Sequence, residues 1–294
     1  MSEEYLKTIE KLQKCTESYW GYCNGRRNDY EKIEKIASEL EPCKECALLK
    51  KFPNFEKQPY CVLYPFPKET KIMFISRDPN FSTPQECKDK HIKWPADDIS
   101  VVPVPPNDFD ISDGIIKALL ASNTNNWESE EWRALEGIIR GEKKETPVYW
   151  THLVKCFTMN NKNKIIKEIK GTCIKILGIE IQKLKPKLII CVGGDAAWGL
   201  KNLLKNKEIK NLYPEAKKLF DKIKDIKDIK QWLEKLEEAI QTGIIVLPHP
   251  SKANGNYGYK WKDGYNQAIV DKKREVRISI LSLKLKIDEL LGRK

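Results

Sequence analysis

Four short apolar runs limit what this chain can fold into. They are KIMFI at 71–75, PVYWTHLV at 147–154, KLIICV at 187–192 and IIVL at 244–247. Each reads as a buried strand, and the first is unbroken in its apolar character from Ile72 to Ile75. Helical segments separate them, predicted over about 112–122, 129–140, 164–183 and from 196 onward. Strands alternating with helices indicate a parallel sheet with helices on both faces. The expected fold is therefore α/β, a three-layer αβα sandwich on a four-stranded parallel sheet.

Around that frame the chain divides further. Residues 1–40 read as two helices, an N-terminal helical extension. The α/β domain is expected over 41–252. It carries a lysine-rich helical insertion at 205–240. Residues 253–294 begin with a Gly/Asn/Tyr loop and close with a helix over about 267–291, packing on the same domain. The proline-bearing stretch 82–110 has no clear period and reads as a long loop, a length that is usually functional or disordered.

Polar residues gather where the strands stop. The first strand runs into Ser76-Arg77-Asp78-Pro79-Asn80, and Pro79 cannot donate to a sheet ladder. The second ends in Thr151 and His152, and the fourth runs into Pro248-His249-Pro250-Ser251. In a parallel sheet these ends share one edge, where open α/β sheets hold their ligands. An acid and two histidines can thus converge from distant parts of the sequence. Asp78 is the first candidate for chemistry; the plainer reading is a turn carboxylate capping a following helix.

Charge and cysteine content narrow the partners. The chain of 294 residues has a formal charge of +11, which favours polyanions such as nucleic acid. Many of the lysines also fit ordinary solvated helices. The amino terminus is a charged amphipathic segment without the apolar core of a signal peptide, and no run of about 18 apolar residues appears. A cytoplasmic protein with no membrane contact is expected. Nine cysteines are many for that compartment, where disulfides are disfavoured. Metal or cluster ligation is the natural alternative. Cys43 and Cys46 form a CxxC, Cys156 follows the second strand, and Cys173 lies on the next helix. Such a set suits four-thiolate ligation of iron–sulfur or zinc. Cys191, inside an apolar strand, fits a small buried residue instead.

These motifs, in this order, resemble the uracil-DNA glycosylase superfamily, and most of all its iron–sulfur branch, family 4. The CxxC precedes the first strand. THLVKC at 151–156 resembles that branch's TNxVKC, and Cys173 follows at the distance of its last cluster cysteine. His249-Pro250-Ser251 resembles the superfamily's HPS or HPA, and KPKLIICVGGDAAWGL at 185–200 its third strand and glycine turn. The resemblance covers roughly residues 41–252. In two places the chain departs from the branch. Its first motif, Ser76–Asn80, looks more like GQDPY than GExPG. His152 stands where the branch has the asparagine that reads the uracil edge.

The resemblance implies a DNA glycosylase of base-excision repair, a hydrolase removing uracil or a related deaminated base. It implies catalytic roles for Asp78 and His249. Substrate contacts would come from Ser76, Arg77, Asn80, Phe109, His152 and Ser251, with Phe109 the nearest aromatic able to stack on a flipped base. A 4Fe–4S cluster, or alternatively zinc, would sit on Cys43, Cys46, Cys156 and Cys173. The partner would be double- or single-stranded DNA bound by a monomer. Two alternatives stay open: a non-catalytic iron–sulfur nucleic-acid-binding member of the superfamily, and a zinc-stapled α/β hydrolase of unrelated substrate.

Overall fold

The structure, a computed structural model, describes residues 69–77, 147–155, 162–223, 225, 229–247 and 273–292. In chain order the elements are β1 (Ile72–Ser76), β2 (Val148–His152), α1 (Lys162–Leu184), β3 (Leu188–Val192) and α2 (Gly194–Leu203). Then come α3 (Lys207–Leu212), α4 (Pro214–Lys222), α5 (Ile229–Glu234), α6 (Leu236–Thr242), β4 (Ile244–Leu247) and α7 (Lys273–Leu291). The N-terminal extension at 1–40 and the loop at 82–110 lie outside the described residues.

The four strands form one sheet in the order β2-β1-β3-β4. β1 pairs with β3 in parallel, Ile72 opposite Leu188 and Ile75 opposite Cys191. β3 pairs with β4 in parallel, Ile189 opposite Ile244 and Val192 opposite Leu247. β2 runs the same way as β1. Pro147 O accepts from Ile72 N at the start of the pair, and Arg77 O accepts from Val154 N just past its end. The strand order reverses between β1 and β3. In such sheets ligands collect outside the carboxyl ends of the strands at the reversal.

All residues of all four strands are buried. Successive side chains point to opposite faces, so uninterrupted burial means both faces are covered. The continuous apolar runs require this: an alternating pattern would have left one face to water. α2 packs on β3 and β1, and α6 packs on β4 and α7. Cys191 lies wholly inside this core, and burial pushes its thiol up out of the reactive range.

Local chemistry sets the helix boundaries. Lys185 adopts φ 46° and Pro186 follows, ending α1. Asn206 caps α3 by accepting from Glu208 N at 2.8 Å, and α4 opens on Pro214. Between α6 and β4 there is one residue, Gly243, with φ 74°. A Cβ there would meet Lys187 O at 2.8 Å. The position needs glycine for its left-handed backbone and for its clearance.

The boundaries differ from the expectation in three instructive places. β1 runs to Ser76, one residue further, and that residue is buried with its hydroxyl accepting from Trp150 Nε1. β2 stops at His152, and Leu153 and Val154 bend away while remaining fully buried. The 205–240 segment, expected to be helical, is divided into several short helices, with α3 starting after Asn206, α4 at Pro214 and α6 after Lys235.

The chain divides into two compact units. Among the described residues, Arg77, 151–155 and 162–180 belong to the first. Residues 69–76, 147–150 and those from 181 onward belong to the second, which holds nearly all of the sheet.

Candidate active site at the end of the second strand

In the second unit, the ends of β1 and β2 are fixed by an aromatic contact and a hydrogen bond. Phe74 and Trp150 stack with ring centroids 5.0 Å apart and planes 7° from parallel. Trp150 Nε1 donates to Ser76 Oγ at 3.2 Å. A buried indole N–H needs an acceptor, and Ser76 is the short side chain that supplies it. Ser76, expected from the sequence to contact substrate, therefore also ties β1 internally.

In the first unit, the chain beyond Trp150 carries a sealed polar cluster. Thr151, Lys155 and Glu180 are all within 1% of complete burial. Lys155 Nζ donates to Thr151 Oγ1 at 2.6 Å and forms an ion pair with Glu180. Thr151 Oγ1 in turn lies 3.0 and 3.1 Å from the two carboxylate oxygens of Glu180, to which it donates. One hydroxyl thus accepts from the cation and donates to the anion. Val154 N donates to Arg77 O at 2.9 Å, fixing the bend beyond β2.

His152, in the first unit next to Thr151, is 1% exposed. Alternation along β2 puts it on the face opposite Thr151. An imidazole can donate from one nitrogen and accept at the other, or donate from both when charged. It is suited to reading a polar edge or handling a proton.

Of the residues expected from the sequence, Ser76, Arg77, His152 and Cys173 are described. Arg77 and His152 belong to the first unit, where Arg77 contributes its carbonyl to the bend beside His152 and is itself half-buried. Cys173 is buried on α1, two turns before Glu180 and so on nearly the same side of the helix. Asp78, Asn80, Phe109, His249, Ser251, Cys43, Cys46 and Cys156 lie outside the described residues. Among the described residues no group of three or more His, Cys, Asp and Glu could hold a metal ion. None of their helices is long and apolar enough to cross a membrane.

Sequence reasoning missed Lys155 and Glu180. A signal was present for the second. Cys173, Ile176, Leu177, Glu180 and Ile181 follow the apolar stripe of α1. A carboxylate on that stripe demands a buried partner. Lys155 stood in view within THLVKC, but nothing in the motif showed where its side chain goes.

A family model described as the uracil DNA glycosylase superfamily matches residues 65–270, more than half of the chain. No curated protein matches the sequence.

Proposed function

We propose that this chain, which belongs to the uracil DNA glycosylase superfamily, hydrolyses the N-glycosidic bond of uracil or a related deaminated base in DNA. The observation that carries this reading is the buried histidine at the carboxyl end of β2, inside the matched span. A glycosylase must draw its nucleotide out of the duplex and hold the base in a pocket. A strand end with a clamped backbone supports such a pocket.

In the proposed reaction the bond between C1′ and the base nitrogen breaks. Its electron pair leaves with the base, and C1′ becomes oxocarbenium-like. Asp78, ionised, orients a water and stabilises the cationic sugar, as carboxylates do in glycoside hydrolysis. The water oxygen bonds C1′, and its proton ends on the departing base. His249 donates to the base oxygen where negative charge grows; a donor of this kind is worth about 3–4 kcal/mol in the barrier. His152 reads the base edge. It cannot present an amide's paired donor and acceptor, so base preference is expected to differ from that of an asparagine-bearing site. Ser76, Arg77, Asn80, Phe109 and Ser251 complete the contacts to substrate.

A 4Fe–4S cluster on Cys43, Cys46, Cys156 and Cys173, with zinc as the alternative metal, belongs to the same reading. The fit rests on Cys173, a soft thiol ligand on the buried face of α1. Bound there, the metal would staple distant segments together and leave the hydrolysis to the residues above. Anaerobically purified protein should be brown and contain iron and sulfide. A stable, colourless, metal-free protein would remove this part of the proposal.

The deciding experiment is base release. Duplex and single-stranded oligonucleotides carrying one uracil, hypoxanthine or xanthine are incubated with the protein, then treated with alkali to cut abasic sites. Release is expected for at least one base and should vanish in Asp78→Asn. Tight DNA binding with no release from any substrate would replace this reading with a non-catalytic member of the superfamily.

A further inference from the structure

The hydrolysis as proposed makes no use of Thr151, Lys155 and Glu180, yet the chain places a full ion pair where water cannot reach. Apolar side chains of similar size usually serve stability in such a place equally well or better. What the ion pair adds is direction. Glu180 is fixed on α1, Lys155 closes back across the bend of Leu153 and Val154, and both converge on the hydroxyl of Thr151. Thr151 immediately precedes His152 and points to the opposite face of β2.

We infer that Thr151, Lys155 and Glu180 are positioning residues, which grip β2 from behind and set where the His152 imidazole is presented. This rests on the reading of His152 as the residue facing the base. The cluster itself touches no substrate. Its effect is transmitted through one peptide unit, from Thr151 to His152. The loss of either charge, or of the hydroxyl that joins them, should let the strand end shift while the rest of the sheet holds.

Two kinds of measurement test this on the full-length protein. The chain has three histidines, His91, His152 and His249. Ring-labelled histidine NMR therefore gives three sets of signals, assigned with His152→Asn. The variants are the apolar pair Lys155→Met with Glu180→Leu, Thr151→Val, and Thr151→Ser, which keeps the hydroxyl. In folded Thr151→Val and in the paired variant the His152 signals should shift or broaden, and those of His91 and His249 should stay. Thr151→Ser should restore the wild-type His152 signals. Unmoved His152 signals in both folded variants would overturn the proposal. So would failure of both to fold, which would assign the cluster to stability alone.

The second measurement is single-turnover base release. The rate should fall at least tenfold in Thr151→Val and in the paired variant, with DNA affinity within about twofold of wild type. Adding either change to His152→Asn should cost little more, because the cluster acts through that residue. Full additivity would refute action through His152. A wild type that releases no base would defeat the glycosylase reading, while the NMR result would still decide the positioning role.

Discussion

The molecule uses the same pairing, lysine with a carboxylate, in two opposite settings. At the end of β2, Lys155 and Glu180 meet at 0% exposure on both sides. Along the helices between β3 and β4, Lys218 meets Glu215 at 2.9 Å and Lys222 meets Glu238 at 2.5 Å, with the lysines more than half exposed. Water screens the second group, and each such pair is worth little. The buried pair has no solvent to fall back on. Once formed it cannot lose one member without stranding the other. Charge on the helices serves solubility, whereas charge at the strand end fixes geometry.

The contrast is broken most directly by removing one buried partner. Lys155→Met alone, or Glu180→Leu alone, should destabilise the fold by about 3–5 kcal/mol, because an uncompensated charge remains inside. Chemical denaturation checks this. The paired replacement should recover part of the loss and stay about 1–3 kcal/mol below wild type, since no charge is left alone but the buried Thr151 hydroxyl loses both of these partners. Single and paired variants that were equally unstable would mean that packing volume, and not charge, governs the site.

The two regions also differed in how far the sequence revealed them. The sheet was readable because four short, mostly apolar runs separated by helical segments left little choice, and β4 was placed at its observed limits, 244–247. The insertion was recognised as a charged, lysine-rich helical stretch, but its breaks depended on single residues: Asn206, which caps α3, and Pro214, which opens α4. Thr151 and His152 were identifiable as a strand end. The sealed cluster was not: the glutamate at 180 stood on an apolar stripe, but the lysine at 155 is not marked as its partner until α1 returns to the end of β2. Sequence reports the spacing along one element, and this cluster is spread over two.

A backbone position in the second region sharpens the comparison at an intermediate size. Gly243 is the whole connection from α6 to β4, and its carbonyl accepts from Ile189 N at 2.8 Å. Gly243→Ala adds a side chain at φ 74° and 2.8 Å from the Lys187 carbonyl. It should cost about 1–3 kcal/mol, read as a lowered thermal midpoint. No charge is involved, so the loss should be equal at low and high salt. A loss that salt altered would mean that the strain spreads into the neighbouring ion pairs.

The smallest effect belongs to Glu238 on α6. The hydrogen bond from Lys222, aided by the charges of Lys222 and Lys235, holds its carboxyl below the usual carboxylate range. A carboxylate whose folded pKa is depressed stabilises the fold above its unfolded pKa. That contribution is lost as pH falls through the folded value. Glu238→Gln should therefore destabilise by about 0.5 kcal/mol near neutral pH, a magnitude proper to exposed pairs. Wild type and variant should converge in acid, and also at neutral pH in about 1 M salt, where the screening length is about 3 Å. Thr151→Val should respond to salt in neither direction, because no ions reach its surroundings. If the Glu238 difference survived high salt, the helical pairs would share the protected character of the strand end, and the division between geometry and solubility would fall.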